Sequence, residues 1–264
     1  VKALILAAGR GSRLKEGIPK CLLRLQGRAL IEHQIAALNA CGVRDIGLVV
    51  GYRSDRVRKL LGNRVTYIEN ARPLETNSLY SLSLARDWID GDFMLLNSDV
   101  VAHDTIYARL ANASGSCLTF DSSSGGADEH MKVVLSGKRL IQIGKKLEPT
   151  NGRSVKAHGE SLGLLKFDKV GAAMLLKAAS QIVAEGGEQH WAPAAVQRIA
   201  PHHAINCIDI TGLPWTEIDY IEDALFAKHE ILPSIRASVT RRRGITQSVM
   251  AAIGSVGGLF EELF

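Results

Sequence analysis

No C-x-x-C pair occurs among the four cysteines, Cys21, Cys41, Cys117 and Cys207, of this 264-residue chain. That absence argues against a zinc ribbon and a disulfide frame, and it predicts reduced core thiols in a cytoplasmic protein. The excess of basic charge is small, +5 at neutral pH, and no stripe of lysine and arginine is interleaved with aromatics. The composition therefore does not argue for nucleic acid. No signal peptide is visible, because the first apolar run leads straight into a glycine-rich turn. Ile245 to Phe260 carries no charge, but it is interrupted by glycines and falls short of the ~20 apolar residues of a membrane span. It reads as a packing helix, a homo-oligomer contact or the opening of a fused downstream domain.

Two familiar glycine motifs are also missing from the stretch that organises the chain, Val1 to Lys20, VKALILAAGRGSRLKEGIPK. A Walker loop needs G-x-x-x-x-G-K-[ST]; Gly9, Gly11 and Gly17 have the wrong spacing and no Gly-Lys-Ser/Thr follows. A dinucleotide fingerprint needs a third glycine three residues after Gly11, where Leu14 stands. What is present is a buried-strand run, Lys2 to Leu6, closed by Ala7, Ala8 and Gly9 and followed by Arg10, Gly11, Ser12 and Arg13. Small residues let a backbone lie flat against a base or curl its N–H groups around phosphate oxygens. Arg13 and Lys20 supply cations for a polyphosphate, and Pro19 sets the chain direction just before Lys20.

Apolar runs and helical stripes then alternate: a helix from about Ala29 to Cys41, strands at Ile46–Val50 and Val65–Ile68, and a basic helix between them. This is the pattern of an α/β protein with an open, Rossmann-like, mostly parallel sheet, whose ligands bind at the strand C-termini. Asn70, Thr76, Asn77 and Ser78 lie on that rim and offer groups to read a base edge, although Thr76, Asn77 or Ser78 also suits a helix N-cap. Phe93 to Leu96 predicts a fourth strand ending in Asp99, placed as a metal ligand. A helix is expected from Val101 to about Ala113 and strands at 117–120, 131–135, 140–144 and 164–167. Residues of about 120–165 are expected to form a small β-rich lobe over the mouth of the site. Near the end, Glu217 and Asp219 alternate with Trp215 and Ile218; Asp219 is the second metal candidate, with Glu217 behind it.

The L-A-A-G-x-G-x-R-L…P-K signature from Leu6, the T-N-S-x-Y-S-L-x-L-A-R stretch from Thr76 to Arg86, and E-I-D-x-x-E-D from Glu217 resemble one family. It is that of the CTP-dependent cytidylyltransferases acting on phosphocholine, inositol phosphate or small phosphonates, within the wider sugar-phosphate nucleotidyltransferases. The resemblance runs from Val1 to about Leu232 and implies a nucleotide-diphospho-sugar transferase type of fold over residues 1–235, with 236–264 left as a tail. It implies that Leu6, Ala7, Ala8, Gly9, Arg10, Gly11 and Ser12 cradle the nucleotide, that Asn70, Thr76, Asn77 and Ser78 bind it, and that Arg13 and Lys20 hold the triphosphate and reaction centre. Asp99 and Asp219 would bind Mg²⁺. Glu160, Glu217, Lys132 and Lys146, with Lys145 beside them, would meet a small phosphate- or phosphonate-bearing acceptor. Sugar-nucleotide enzymes more usually carry a glycine-leucine pair near Thr76 and Asn77, which is absent here. A UTP- or dTTP-dependent sugar-1-phosphate enzyme and a non-catalytic nucleotide-binding module remain as alternatives. Trp191, Trp215 and Tyr220 are the aromatics expected near the pocket.

Overall fold

A computed structural model describes residues 1–11, 17–149 and 152–236. Strand β1 (Lys2–Leu6) leads to the glycine turn. A two-stranded ribbon, β2 (Arg24–Leu25) and β3 (Arg28–Ala29), then opens helix α1 (Leu30–Ala40). Next come β4 (Ile46–Val50), α2 (Ser54–Leu61), β5 (Thr66–Glu69), α3 (Ser78–Leu84), β6 (Phe93–Asn97), β7 (Val100–Ala102) and α4 (Asp104–Asn112). The second half holds β8 (Ser116–Asp121), β9 (Lys132–Ser136), β10 (Arg139–Gly144), β11 (Gly159–Phe167), α5 (Lys169–Ala184), α6 (Pro193–Ile199), β12 (Ile205–Asp209), β13 (Trp215–Glu217) and α7 (Ile221–Phe226).

Nine of these strands form one sheet in the order β5-β4-β1-β6-β11-β8-β12-β10-β9. The pairings β5–β4, β4–β1, β1–β6 and β8–β12 are parallel, so all strands but β11 and β10 run the same way. The mixed, mostly parallel sheet expected from the alternation is what the chain forms. Strands β1, β4, β6, β8 and β11 are buried on both faces, and side chains of period two divide between two cores. Leu4, Leu6, Phe93 and Leu95 join α3, α5 and α6 on one side; Ala3, Ile5, Met94 and Leu96 join α1, α2 and α4 on the other. Cys21, Cys117 and Cys207 are buried and Cys41 half-buried; burial pushes the Cys21 and Cys207 thiols up to about 12. Among the described residues no helix is long and apolar enough to cross a membrane.

Two stretches differ from the sequence-based expectation. Val100 to Ala102 is a strand, and α4 begins only at Asp104, where the His103 ring Nδ1 accepts the Thr105 amide at 3.0 Å. Pairing with β13 overrides the helical pattern: Trp215 faces Ala102, Thr216 faces Val101 and Glu217 faces Val100. Strand β11 starts at Gly159 rather than Leu164 and lies in the middle of the sheet. The hairpin β9–β10 closes the far edge, and β9 also pairs with the start of β11, Lys132 opposite Glu160. Strands β9, β10 and β11 are thus part of the main sheet, which curls at that end so that β9 meets the start of β11.

A third, smaller core of Leu25, Leu30, Val101, Ile218, Ala224, Ala227, Ile231 and Leu232 locks the β7–β13 ribbon and α7 onto the β2–β3 ribbon. Burying a side chain such as Ile218, fully enclosed here, contributes about 2 kcal/mol. That is enough to hold the short segment leading to Asp219.

Candidate active site

The glycine turn is tied to the sheet at two points: the Ala7 amide donates to Val49 O at 2.9 Å, and the Tyr52 amide donates to Ala8 O at 3.0 Å. Gly11 has φ +63°, and a Cβ there would stand 2.9 Å from Lys20 Cβ. Glycine is required on both counts, conformation and close approach. Lys20 opens a single 3-10 turn directly after Pro19, with the Leu22 amide donating to Pro19 O at 2.9 Å. Its stem therefore leaves a fixed point beside Gly11. Ser12 and Arg13 lie outside the described residues.

Asp99 follows β6. The buried Gln34 amide donates to Asn97 O at 2.7 Å and Val100 O at 3.1 Å, which fixes the chain on both sides of the aspartate. The Ile218 amide donates to Asp99 O at 2.9 Å, and with the β7–β13 register this sets Asp219 next to Asp99. Asp223 accepts from the amides of Asp219 and Tyr220, at 2.8 Å each, so it caps the start of α7. Residues far apart in sequence therefore converge: Lys20 Nζ donates to Asp99 Oδ2 at 2.8 Å and to Asp219 Oδ1 at 2.5 Å. Glu217 completes the group, with one oxygen from each of Asp99, Glu217 and Asp219 lying within 4.8 Å of the others.

The electrostatics follow from this crowding. Burial works against the Lys20 ammonium, but Asp99 and Asp219 together outweigh it and hold its pKa above the ordinary lysine value. Glu217 has no such balance. Burial and the charges of Asp99 and Asp219 push its carboxyl up to about 8, against a weaker opposing pull from Lys20.

A cavity of about 380 Å³ opens from this cluster, lined by Leu6, Ala8, Gly9, Gly11 and Lys20 at one end. Asn70, Thr76, Asn77 and Ser78 are on its wall, yet their side chains are largely engaged within the protein. Asn70, almost wholly buried, donates to Thr76 Oγ1 and Ser81 Oγ at 3.1 Å each and accepts the Arg72 amide at 2.8 Å. Asn77 Oδ1 accepts the Ser78 amide at the start of α3, and Ser78 Oγ accepts the Ala192 amide, each at 2.8 Å. These residues build the wall. Asn70→Ala leaves the Arg72 amide without its acceptor and takes a donor from the Thr76 and Ser81 hydroxyls, and is expected to lower stability by about 1–2 kcal/mol, read by thermal unfolding.

At the other end the wall is Glu129, Met131, Lys145, Ser161 and Trp191. The Lys145 ammonium bonds Glu129 at 2.8 Å and stands 4.4 Å from the Trp191 ring centroid. Three of the expected acceptor residues do not line the cavity. Lys132 turns its ammonium to Lys145 O, at 3.0 Å, because β9 and β10 are paired there. Lys146 is exposed on the outside of the hairpin end. Glu160 is buried beneath the 122–130 loop, where it accepts the Ser124 hydroxyl and lies 3.2 Å from His130 Nδ1. Burial raises its pKa, only partly offset by those partners. Trp215 is likewise committed, its indole N–H donating to Asp121 at 2.8 Å. Glu129, Met131 and Ser161 carry no sequence motif that points to the cavity.

Residues 3–162 match the MobA-like NTP transferase domain. The chain belongs to that family. It is 40% identical over 121 residues to the CMP-5'-(3-aminopropyl)phosphonate synthase of Streptomyces rubellomurinus, covering 43% of this chain and 19% of that protein. It is 29% identical over 233 residues to the bifunctional IPC transferase and DIPP synthase of Aquifex aeolicus, covering 86% of this chain and 50% of that protein. The chain thus spans half or less of these curated relatives. Its fold is that of the inositol-1-phosphate CTP transferase from T. maritima, with TM-score 0.72, 22% identity and coverage of 89% and 96% of the two chains. It is also that of the CTP:phosphocholine cytidylyltransferase from Streptococcus pneumoniae, with TM-score 0.71, 21% identity and coverage of 86% and 97%.

For a MobA-like NTP transferase domain the acidic group is a natural place for a divalent ion, and the residues fit one. Among the described residues Asp99 Oδ1 is buried with no hydrogen-bond partner, and the available ligand atoms are hard carboxylate oxygens of the kind Mg²⁺ prefers.

Proposed function

We propose that the chain is a Mg²⁺-dependent cytidylyltransferase that transfers CMP from CTP to a small acceptor bearing a phosphate or phosphonate, with release of pyrophosphate. The observation that carries this reading is the meeting of Lys20, Asp99, Glu217 and Asp219 beside the glycine turn, at the mouth of one cavity. The choice of CTP is supported by the kinship with a phosphonate synthase that makes a CMP product and with cytidylyltransferase structures.

The acceptor oxygen is already anionic at neutral pH, so no base is needed. It attacks the α-phosphorus in line, a new P–O bond forms, and the bond to the β-phosphate bridging oxygen breaks with its electron pair leaving on pyrophosphate. The protein has to bring two anions together and stabilise charge at the α-phosphate. Small residues from Ala7 to Gly11 allow close approach of the nucleotide, while Lys20 and Arg13 supply positive charge. Asp99 and Asp219, with Glu217, would hold a magnesium ion, which would supply neutralising charge at the phosphates. The acceptor is placed at the Glu129–Lys145–Trp191 end. Among the described residues Trp191 is the one aromatic on the cavity wall, and Lys145 already covers it. A quaternary ammonium asks for a fuller aromatic cage, so a phosphonate or polyol phosphate fits better than phosphocholine.

A pyrophosphate-release assay tests the reading, with CTP, UTP and dTTP each offered aminoethylphosphonate, inositol phosphate, phosphocholine and glucose 1-phosphate. Release with CTP and a phosphonate or polyol phosphate is expected. Preference for UTP or dTTP with the sugar phosphate would overturn the nucleotide assignment, and CTP binding without release from any pair would overturn catalysis.

A further inference from the structure

The two carboxylates that fit a metal ion are bridged by an ammonium. Lys20 Nζ lies 2.8 Å from Asp99 Oδ2 and 2.5 Å from Asp219 Oδ1, and little of any of the three side chains is exposed: 13% for Lys20, 18% for Asp99 and 33% for Asp219. We propose that Lys20 is a latch on the metal site, filling the space between Asp99 and Asp219 while no nucleotide is bound and surrendering it to a cation that arrives on a triphosphate. This rests on the metal reading given above and extends it to the order in which the parts assemble.

The argument is one of charge balance in a half-buried site. A divalent ion cannot take both carboxylates while an ammonium stays within hydrogen-bonding distance of each, because like charges that close repel strongly where water is scarce. If a bare cation displaced Lys20, the ammonium would lose both partners without gaining another, and unpaired charge in such a place is strongly unfavourable. A triphosphate removes that obstacle, since its oxygens give the displaced ammonium a new anionic partner.

The local geometry suits an exchange of partners by one side chain. The Lys20 stem is fixed by Pro19, by the 3-10 turn and by its packing on Gly11, so the ammonium moves by rotating its own side chain while the backbone stays in place. Asp99 Oδ1, buried and unpartnered, remains as a foothold for an incoming ion while Lys20 still holds Oδ2. Metal and nucleotide are thereby coupled, and by linkage each strengthens the binding of the other.

The test measures Mn²⁺ binding to the full chain without nucleotide, by the electron paramagnetic resonance signal of free Mn²⁺. Wild type is compared with Lys20→Met and Lys20→Gln, each first checked for native circular dichroism. Both variants are expected to bind Mn²⁺ about tenfold tighter than wild type or better, within the range of ordinary coupling between sites. Adding Asp99→Asn to either variant is expected to abolish the gain. Equal or weaker binding by whichever variant folds overturns the latch. Water-proton relaxation with Mn²⁺ and CTP separates that failure from failure of the metal reading. If wild type forms a ternary complex while the variants gain nothing alone, the metal site stands and the latch falls. If no Mn²⁺ binds even with CTP, the acidic group is not a metal site and both readings fall.

Discussion

Asp99→Ala is expected to fold as the wild type does and to turn over two to three orders of magnitude more slowly. The fold should survive because the aspartate contributes little to packing: it follows β6, and the strand end is held by Gln34 and by backbone hydrogen bonding from Ile218 rather than by the carboxylate. Lys20 keeps a partner in Asp219, so no unpaired charge is left behind. The rate should fall because in the proposed chemistry the carboxylate is a ligand of the ion that neutralises the phosphates. Losing one preorganised electrostatic contact at a phosphoryl-transfer centre raises the barrier by about 3–4 kcal/mol, which is the stated loss in kcat. Asp99→Asn keeps the shape and removes the charge, so a similar loss is expected from it. Single-turnover rates measured with saturating CTP and acceptor are the check. A near-wild-type rate from folded Asp99→Ala overturns its role.

The elements that the sequence made legible are those whose cause is local. The β1 run, the small residues behind it and the carboxylate just past β6 can be read from a few neighbours in the chain, and so can the period-two burial that divides Leu4 and Leu6 from Ala3 and Ile5. The β7–β13 ribbon was not legible. Val101 and Ala102 read as the start of the helix, whereas the strand pairing of Val100 to Ala102 depends on Trp215 to Glu217, more than a hundred residues later. Consequently Glu217 reads as a residue behind Asp219, while the structure sets it level with both aspartates. The same limit applies at the acceptor end. Lys145 and Lys146 are adjacent and chemically alike, and only the closure of the β9–β10 hairpin turns the first to the cavity and leaves the second outside. Glu160 looks free as a letter in a polar segment, but the chain folds the 122–130 loop over it. Asn70 and its neighbours show in sequence the hydrogen bonds they can make, but not which of those are already made within the wall.

Gly159→Ala is expected to destabilise the protein by about 3 kcal/mol, the upper part of the usual range for overpacking a filled interior, and to lower the melting temperature by about 6–12 °C for a domain of this size. The reason is where β11 begins. Gly159 faces Val133 of β9, while the next residue, Glu160, faces both Lys132 of β9 and Asp121 of β8. A methyl group at 159 would stand 2.4 Å from Asp121 O and 2.8 Å from the Phe120 ring, so backbone rather than a flexible side-chain end has to give way. Gly125, at φ +105°, is pressed against the same place, since a Cβ there would meet the Gly159 carbonyl carbon at 2.7 Å. The turn, the ring and two strands therefore share one spot with no spare volume, and small shifts there spread because packed interiors are stiff. They spread toward the acceptor end. The Ser161 amide donates to Met131 O at 2.8 Å, both residues line the cavity, and Asp121 is bonded to the Trp215 indole on the strand that carries Glu217. The KM for the acceptor is accordingly expected to rise several-fold more than the KM for CTP, whose proposed cradle is at the ends of β1 and β6. Unfolding followed by circular dichroism gives the first number and steady-state kinetics the second. An unchanged melting temperature would mean that the β8–β11–β9 junction yields to a methyl group, and equal shifts in both KM values would mean that it does not govern the acceptor wall.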